Sequence, residues 1–377
     1  MAEPDSGQAA RFAYVGTYTR PSPVRGEGSR SAGISLFAVD ATTGGLSLVE
    51  TVPSDNPSFL AIDPSRRFLY AVNEIEGFQG RRGGTVEAFA IDDASGRLAV
   101  LNREGSAGAG PTHIAVNPAG THVVVANYAD TTFAVLPIGE DGHLKPASAK
   151  IEQTGSGPNA ERQEEPHPHG VAFDPSGQHL ATADLGIDKV QIYHLVAATG
   201  QVTPTSDAST AAGAGPRHLA FHPDGRTLYA INELNASVTA FAYDAATGKI
   251  GDELQTVSTV PDDFAGAKST AEIALHPSGT VLYASNRGQP DATSPVANSI
   301  VSYAIDPTNG KLRLIGHASD GLDTPRHFAL DPTATWLYAC NQQTDTIAQF
   351  VIDPRSGELT AIGHVASSPT PVCIVFR

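Results

Sequence analysis

GPRHLAFHPDGRTLYAINEL, residues 215–234, holds two apolar runs, LAF and TLYAI, parted by His222-Pro223-Asp224-Gly225 and bounded by Pro216 and Asn232-Glu233. Runs this short, rich in β-branched and aromatic residues and closed by Pro, Asp and Gly, read as antiparallel strands with a tight turn between them. SVTAFAYD and KIGDELQTV follow, separated by DAATGK, and supply a third and fourth strand. The phrase recurs along the chain. Its second proline stands at Pro64, Pro118, Pro175, Pro223, Pro277 and Pro332, 48 to 57 residues apart, so seven units fit the 377 residues. Four strands per unit, seven times, predict an all-β fold: a seven-bladed β-propeller of four-stranded antiparallel blades.

Six units are complete in sequence. The C-terminal PVCIVF matches a first strand, and RFAYVGTY, GISLFAVD and GLSLVETV near the N-terminus match a second, third and fourth. The seventh blade is therefore expected to pair the N-terminal strands with the C-terminal strand, which removes two open sheet edges. Residues 12–377 then make one propeller domain behind a flexible N-terminus, 1–11. Small residues recur at Ala61, Ala115, Ala172, Ala220, Ala274, Ala329 and Val375, where first strands are expected to crowd around the axis.

Net charge is −16 and no Lys/Arg block exists, which argues against nucleic acid as a partner. No apolar run approaches the ~20 residues of a membrane helix, and MAEPDSGQAA lacks the pattern of a secretory signal. The expectation is a soluble, cytoplasmic chain, a monomer or weak homo-oligomer. Cys340 and Cys373, both within apolar runs, read as buried thiols.

A hairpin brings the start of its first strand and the end of its second to one face. Residues that differ between blades at these places are the informative ones, because packing favours uniformity while a substrate needs unlike groups. By that test His169, Arg217, Glu233, Arg287 and Arg326 stand out, with His218, His327 and Glu74 in neighbouring positions. The Asn column, including Asn232 and Asn286, is explained better by strand-end caps. Arginines and histidines gathered at one mouth suit an oxygen-rich anion. Residues 154–170, TGSGPNAERQEEPHPHG, depart most from the repeat and read either as a lid or as a solvated excursion ahead of His167 and His169. His167-x-His169 also invites a metal, but no Cys or carboxylate cluster completes a ligand set in that segment, so no metal or other cofactor is expected.

YVGTYT at 14–19, PSFLAIDPSRRFLYAVNE at 57–74, HPHGVAFDP at 167–175, GPRHLAFHPDGRTLYAINEL and LYASNRG at 282–288, in this order, resemble the lactonase family of seven-bladed propellers. That family contains bacterial 6-phosphogluconolactonases and fungal carboxy-cis,cis-muconate cyclase. The resemblance implies a site at His167 or His169, Arg217, Glu233 and Arg287; the position of His169 at the channel mouth favours it over His167. It further implies hydrolysis of a sugar-acid lactone in glucose metabolism, with 6-phosphoglucono-δ-lactone of the pentose phosphate pathway as first choice.

In that reading His169 is the base, Arg217 and Arg287 hold negative charge, and His167, His218, Arg326, His327, Glu74, Asn232 and Asn286 contact the substrate. No Gly-x-Ser-x-Gly motif supplies a nucleophile, so a metal-free attack by water is expected. The rivals are a lactonising cycloisomerase or lyase, a metal-dependent lactonase, and a non-catalytic binding propeller.

Overall fold

A computed structural model of the chain describes residues 10–20, 30–288 and 295–377. It contains seven four-stranded sheets and a two-stranded hairpin, Gly77–Phe78 with Arg81–Arg82. Among the described residues the helical elements are the 3₁₀ turns Leu185–Ile187 and Pro295–Ala297. The quoted segment forms the strands Pro216–Phe221, Thr227–Asn232, Ser237–Asp244 and Lys249–Ser258, in that order across one sheet. The expected all-β architecture of seven four-stranded blades is met.

The seventh blade is built from both ends of the chain, as expected: Leu46–Pro53, Gly33–Val39, Phe12–Thr17 and Pro371–Phe376 lie side by side, with Tyr14 opposite Val375. Arg11 N and Phe12 N both donate to Arg377 O, at 2.7 and 3.0 Å. Residues 1–9 of the expected flexible N-terminus lie outside the described residues. The chain packs as two compact units, Ser58–Val257 with four blades, and Met1–Pro57 with Ser258–Arg377 with three. Within the first, the strands Pro111–Val116, Pro168–Phe173 and Pro216–Phe221 pack as successive neighbours, and Phe59 of Pro57–Ile62 meets His113; within the second, Thr270–Leu275, Pro325–Leu330 and Pro371–Phe376 pack in the same way. The column of small residues is half-buried throughout.

The turn signature has a hydrogen-bonding cause. Asp63 Oδ1 accepts from Arg67 N and Phe68 N at 2.8 and 2.7 Å, while Asp331 Oδ1 accepts from Thr335 N and Trp336 N at 2.9 and 2.8 Å. An acidic or amide oxygen thus closes each turn. Where histidine replaces it, the ring takes over: His222 Nδ1 and His276 Nδ1 accept from Asp224 N and Ser278 N.

The recurring Tyr of the second strand joins one blade to another. Tyr70 Oη donates to Gly142 O, Tyr283 Oη to Gly357 O and Tyr338 Oη to Gly44 O, at 3.0, 2.9 and 2.7 Å. Each acceptor lies in the turn between third and fourth strands of the following blade. Gly44 has φ +69, and a Cβ there would stand 2.5 Å from the Tyr338 hydroxyl, so both the turn and the contact demand glycine. Tyr338 is fully buried and links the last complete blade to the one built from the chain's ends. Tyr338→Phe keeps the ring but strands the Gly44 carbonyl, so unfolding free energy should fall by about 1–2 kcal/mol. Denaturant unfolding measures this, and an unchanged midpoint would show that the hydroxyl contributes nothing.

Candidate active site

The first strands of several blades are irregular at their start. Pro216 stands opposite Asn232 and His218 opposite Ile231, leaving Arg217 as the extra residue; Pro168, His169 and Gly170 repeat the pattern against Asp184 and Ala183. The same shift follows Pro111, Thr270 and Pro325. A bulge of this kind frees one residue from the ladder and re-aims its side chain. The freed residues include Thr112, His169, Arg217 and Arg326, four members of the column read from the sequence. The bulge itself was not anticipated; its signal was the leading proline, which has no N–H to give the ladder.

In the unit Ser58–Val257 these positions assemble a polar cluster. Arg217 Nε donates to Glu233 Oε2 at 2.9 Å, with the two side chains only 3% and 6% exposed. Arg217 Nη1 lies 3.2 Å from His218 Nε2. The His169 and His218 rings are 5.2 Å apart, His113 and His218 4.4 Å, and Phe59 and His113 4.0 Å, so three imidazoles run in file beside the guanidinium. Tyr128 stacks on His167 at 4.7 Å and meets His169 edge-on at 5.4 Å. Burial raises the Tyr128 pKa, keeping its hydroxyl protonated. Glu74 follows the strand Phe68–Asn73 and is half-buried.

His167 and His169 differ in their surroundings. His167 Nδ1 donates to Tyr128 O at 3.1 Å, and its Nε2 lies 3.3 Å from Glu164 Oε1, whereas His169 packs against His218. Gly170 explains how close the two strands come: a Cβ on it would lie 2.2 Å from Arg217 O. Gly170→Ala should therefore force His169 away from Arg217 and lower activity at least ~10-fold with some loss of stability; full activity would refute the need for close approach.

Residues 154–166 are not a free excursion. Gln163 is fully buried, and its Nε2 donates to Leu185 O and Asp188 Oδ1, both at 2.8 Å. Asp188 also accepts from Gly213 N and Gly215 N at 2.7 and 2.8 Å, tying this loop to the segment that leads into Arg217. The loop delivers a residue that the sequence reading missed: Arg162 Nη2 donates to Glu233 Oε1 at 2.8 Å and to Tyr128 Oη at 3.3 Å. Nearby, Arg82 Nη2 donates to Ala129 O from the small hairpin.

The Asn column is engaged inside the blades. Asn232 Nδ2 donates to Ser237 Oγ and Thr239 Oγ1, and Asn286 Nδ2 to Thr259 O and Ser299 Oγ. In the second unit, Arg287 Nε and Nη2 donate to Thr270 O at 3.1 and 2.9 Å, and Arg326 lies over the Tyr18 ring. His327 Nδ1 accepts from Ile374 N at 3.2 Å, and its Nε2 is 3.3 Å from Glu272 and 3.9 Å from Cys373 Sγ. His113 Nδ1 accepts from Val171 N likewise, so an imidazole at this place fastens one first strand to the next. Both cysteines are buried thiols outside any disulfide. Among the described residues, no three or more His, Cys, Asp and Glu side chains gather as metal ligands would, and no helix is long and apolar enough to cross a membrane.

Seven four-stranded blades with an arginine–carboxylate pair beside a file of imidazoles define a propeller with an enzyme-like polar site. Residues 12–376 match the family described as "Lactonase, 7-bladed beta-propeller", and the chain belongs to that family. It is 35% identical to a 6-phosphogluconolactonase of Bacillus subtilis over 96% of this chain and 97% of the relative. It is 33% identical to a 6-phosphogluconolactonase of Formosa agariphila over 89% and 90%. The crystal structure of the periplasmic gluconolactonase PpgL of Pseudomonas aeruginosa superposes with a TM-score of 0.85 at 30% identity, covering 97% of this chain and 98% of that one.

Asp184 occupies the place where other blades have Asn, and its Oδ1 accepts from His167 N and Gly186 N at 2.8 and 3.0 Å. Burial pushes its carboxyl up to about 6, against the pull of those N–H groups. The folded protein thus holds this proton more tightly than the unfolded chain. The resulting stability is complete below about pH 4 and is lost as pH rises through about 6, a swing on the order of 3 kcal/mol. Asp184→Asn, which cannot ionise, should stabilise the protein at pH 7.5 relative to wild type more than at pH 4. Equal changes at both pH values in denaturant titrations would count against the buried carboxyl.

Proposed function

We propose that the chain hydrolyses the ester bond of a sugar-acid lactone, with 6-phosphoglucono-δ-lactone as the preferred substrate, and that the His169–Arg217–Glu233 cluster is the catalytic site. The observation that carries this is the buried Arg217–Glu233 pair beside the imidazole file, in a chain similar to proteins named 6-phosphogluconolactonase and gluconolactonase. Water attacks the lactone carbonyl as His169 takes its proton. The carbonyl oxygen becomes an oxyanion, and collapse of the tetrahedral intermediate breaks the bond to the ring oxygen, which receives a proton from the imidazolium. Arg217 offers a fixed cation to the oxyanion, and Glu233 keeps that guanidinium in place without a nucleophilic role of its own.

His218 packs between His169 and Arg217 and limits their movement. His167 and Glu74, in the same unit as the cluster, are proposed as lesser contributors to substrate recognition. Water attack without a metal, a cytoplasmic location and a monomer or weak homo-oligomer complete the proposal.

A lactone-opening assay run beside a carboxymuconate cyclisation assay tests it. Opening should exceed the spontaneous rate and cyclisation should not be detected. His169→Gln should cut kcat on the order of 10²–10⁴-fold and Arg217→Gln on the order of 10²–10³-fold. Undiminished turnover in both variants would remove the site from consideration.

A further inference from the structure

One carboxylate serves two guanidinium groups in this cluster. Glu233 Oε2 accepts from Arg217 and Oε1 from Arg162, so a single negative charge stands between two positive ones. Glu164, whose side chain is 53% exposed, lies beside His167 and also faces Arg162. Two guanidinium groups thus share the one buried carboxylate, in a chain whose net charge is −16. A guanidinium that shares its carboxylate with a second one and keeps an edge toward solvent can be stabilised further by an anion brought from outside.

The two arginines are not equivalent. Arg217 is 3% exposed, while the Arg162 side chain is 41% exposed. Arg162 Nη2 is engaged by Glu233 and Tyr128, yet its Nε and Nη1 make no hydrogen bond among the described residues. Burial lowers its pKa and the Glu233 charge more than restores it, so the guanidinium stays charged. A guanidinium gripped along one edge and open along the other presents a ready fork to phosphate oxygens. Its position is set by the adjacent Gln163, through Leu185 O and Asp188 Oδ1 and through Asn159 N, which donates to Gln163 Oε1 at 3.1 Å.

We propose that Arg162 is the specificity residue of the site, receiving the phosphomonoester of a phosphorylated sugar lactone. This rests on the lactonase reading above. Arg162 takes no part in the bond-breaking step; it binds the group that separates a phosphorylated lactone from its unphosphorylated counterpart.

The test compares Arg162→Gln and Arg162→Lys with wild type on 6-phosphoglucono-δ-lactone and on glucono-δ-lactone. The kcat/KM ratio of phosphorylated to unphosphorylated substrate should fall on the order of 10- to 100-fold in the Gln variant, chiefly through KM, with partial recovery in the Lys variant. An equal loss on both substrates would overturn the proposal, since Arg162 would then act only by holding Glu233. Should wild type open neither lactone faster than water does, the lactonase reading fails by itself. Calorimetric titration with 6-phosphogluconate then still judges Arg162: binding that is present in wild type and weakened in Arg162→Gln supports it, and binding of equal strength or absent from both refutes it.

Discussion

Successive side chains on a regular strand point to opposite faces, so a strand cannot send both Arg217 and His218 toward one site while its ladder runs unbroken. The bulge after the leading residue, as at Pro168 and Pro216, removes that restriction. It leaves the remainder of each first strand paired in register, as Leu219 opposite Ala230 and Val171 opposite Thr182 show. The irregular position is also where the blades differ in sequence: Thr112, His169, Arg217 and Arg326 occupy it in different blades. Rigid, repeated strands thereby carry an unrepeated set of side chains, and the site gains its precision from the scaffold rather than from the length of any loop.

Electrostatics gives the cluster its character. A buried ion pair is a poor source of stability, because each charge surrenders its hydration and the mutual attraction returns little more than that cost. On the proposed catalytic role, the Arg217–Glu233 pair serves as preorganisation. The guanidinium is already desolvated and already aimed, so little reorganisation remains when charge develops on a bound substrate. The acidic whole does not oppose this, since exposed charges farther away than about 10 Å are screened at ordinary salt.

Much of this was legible in the sequence, for reasons that differ between residues. The blade count followed from a period kept by Pro64 through Pro332, and closure followed from three N-terminal strand phrases and one C-terminal phrase that complete a unit only together. The Asn column carried both a capping and a substrate-contact reading, and Asn286, bonded to Thr259 and Ser299, has the partners that capping calls for. The Tyr hydroxyl bonds were hidden because their acceptors are backbone carbonyls, which leave no mark on composition. Arg162 was hidden for another reason. Comparing columns finds only residues inside the repeat, and Arg162 sits in an insertion with no counterpart in other blades. Asp184 was visible as the exception in its column, but its raised pKa comes from burial, which one sequence does not display.

The site thus divides into a part that the fold fixes and a part that it leaves free. Arg217 and His169 stand between paired residues of their strands, and Gly170 brings those strands close, so these groups tolerate little variation without damage to the core. Residues 154–166 join a fourth strand to the next first strand without entering any ladder, and Gln163 is their buried anchor. Such a segment can change in sequence while the blades behind it do not. On the proposed roles, a family built this way can keep one arrangement for stabilising negative charge and alter which anion it admits, because Arg162 hangs from the loop while His169 and Arg217 belong to the strands.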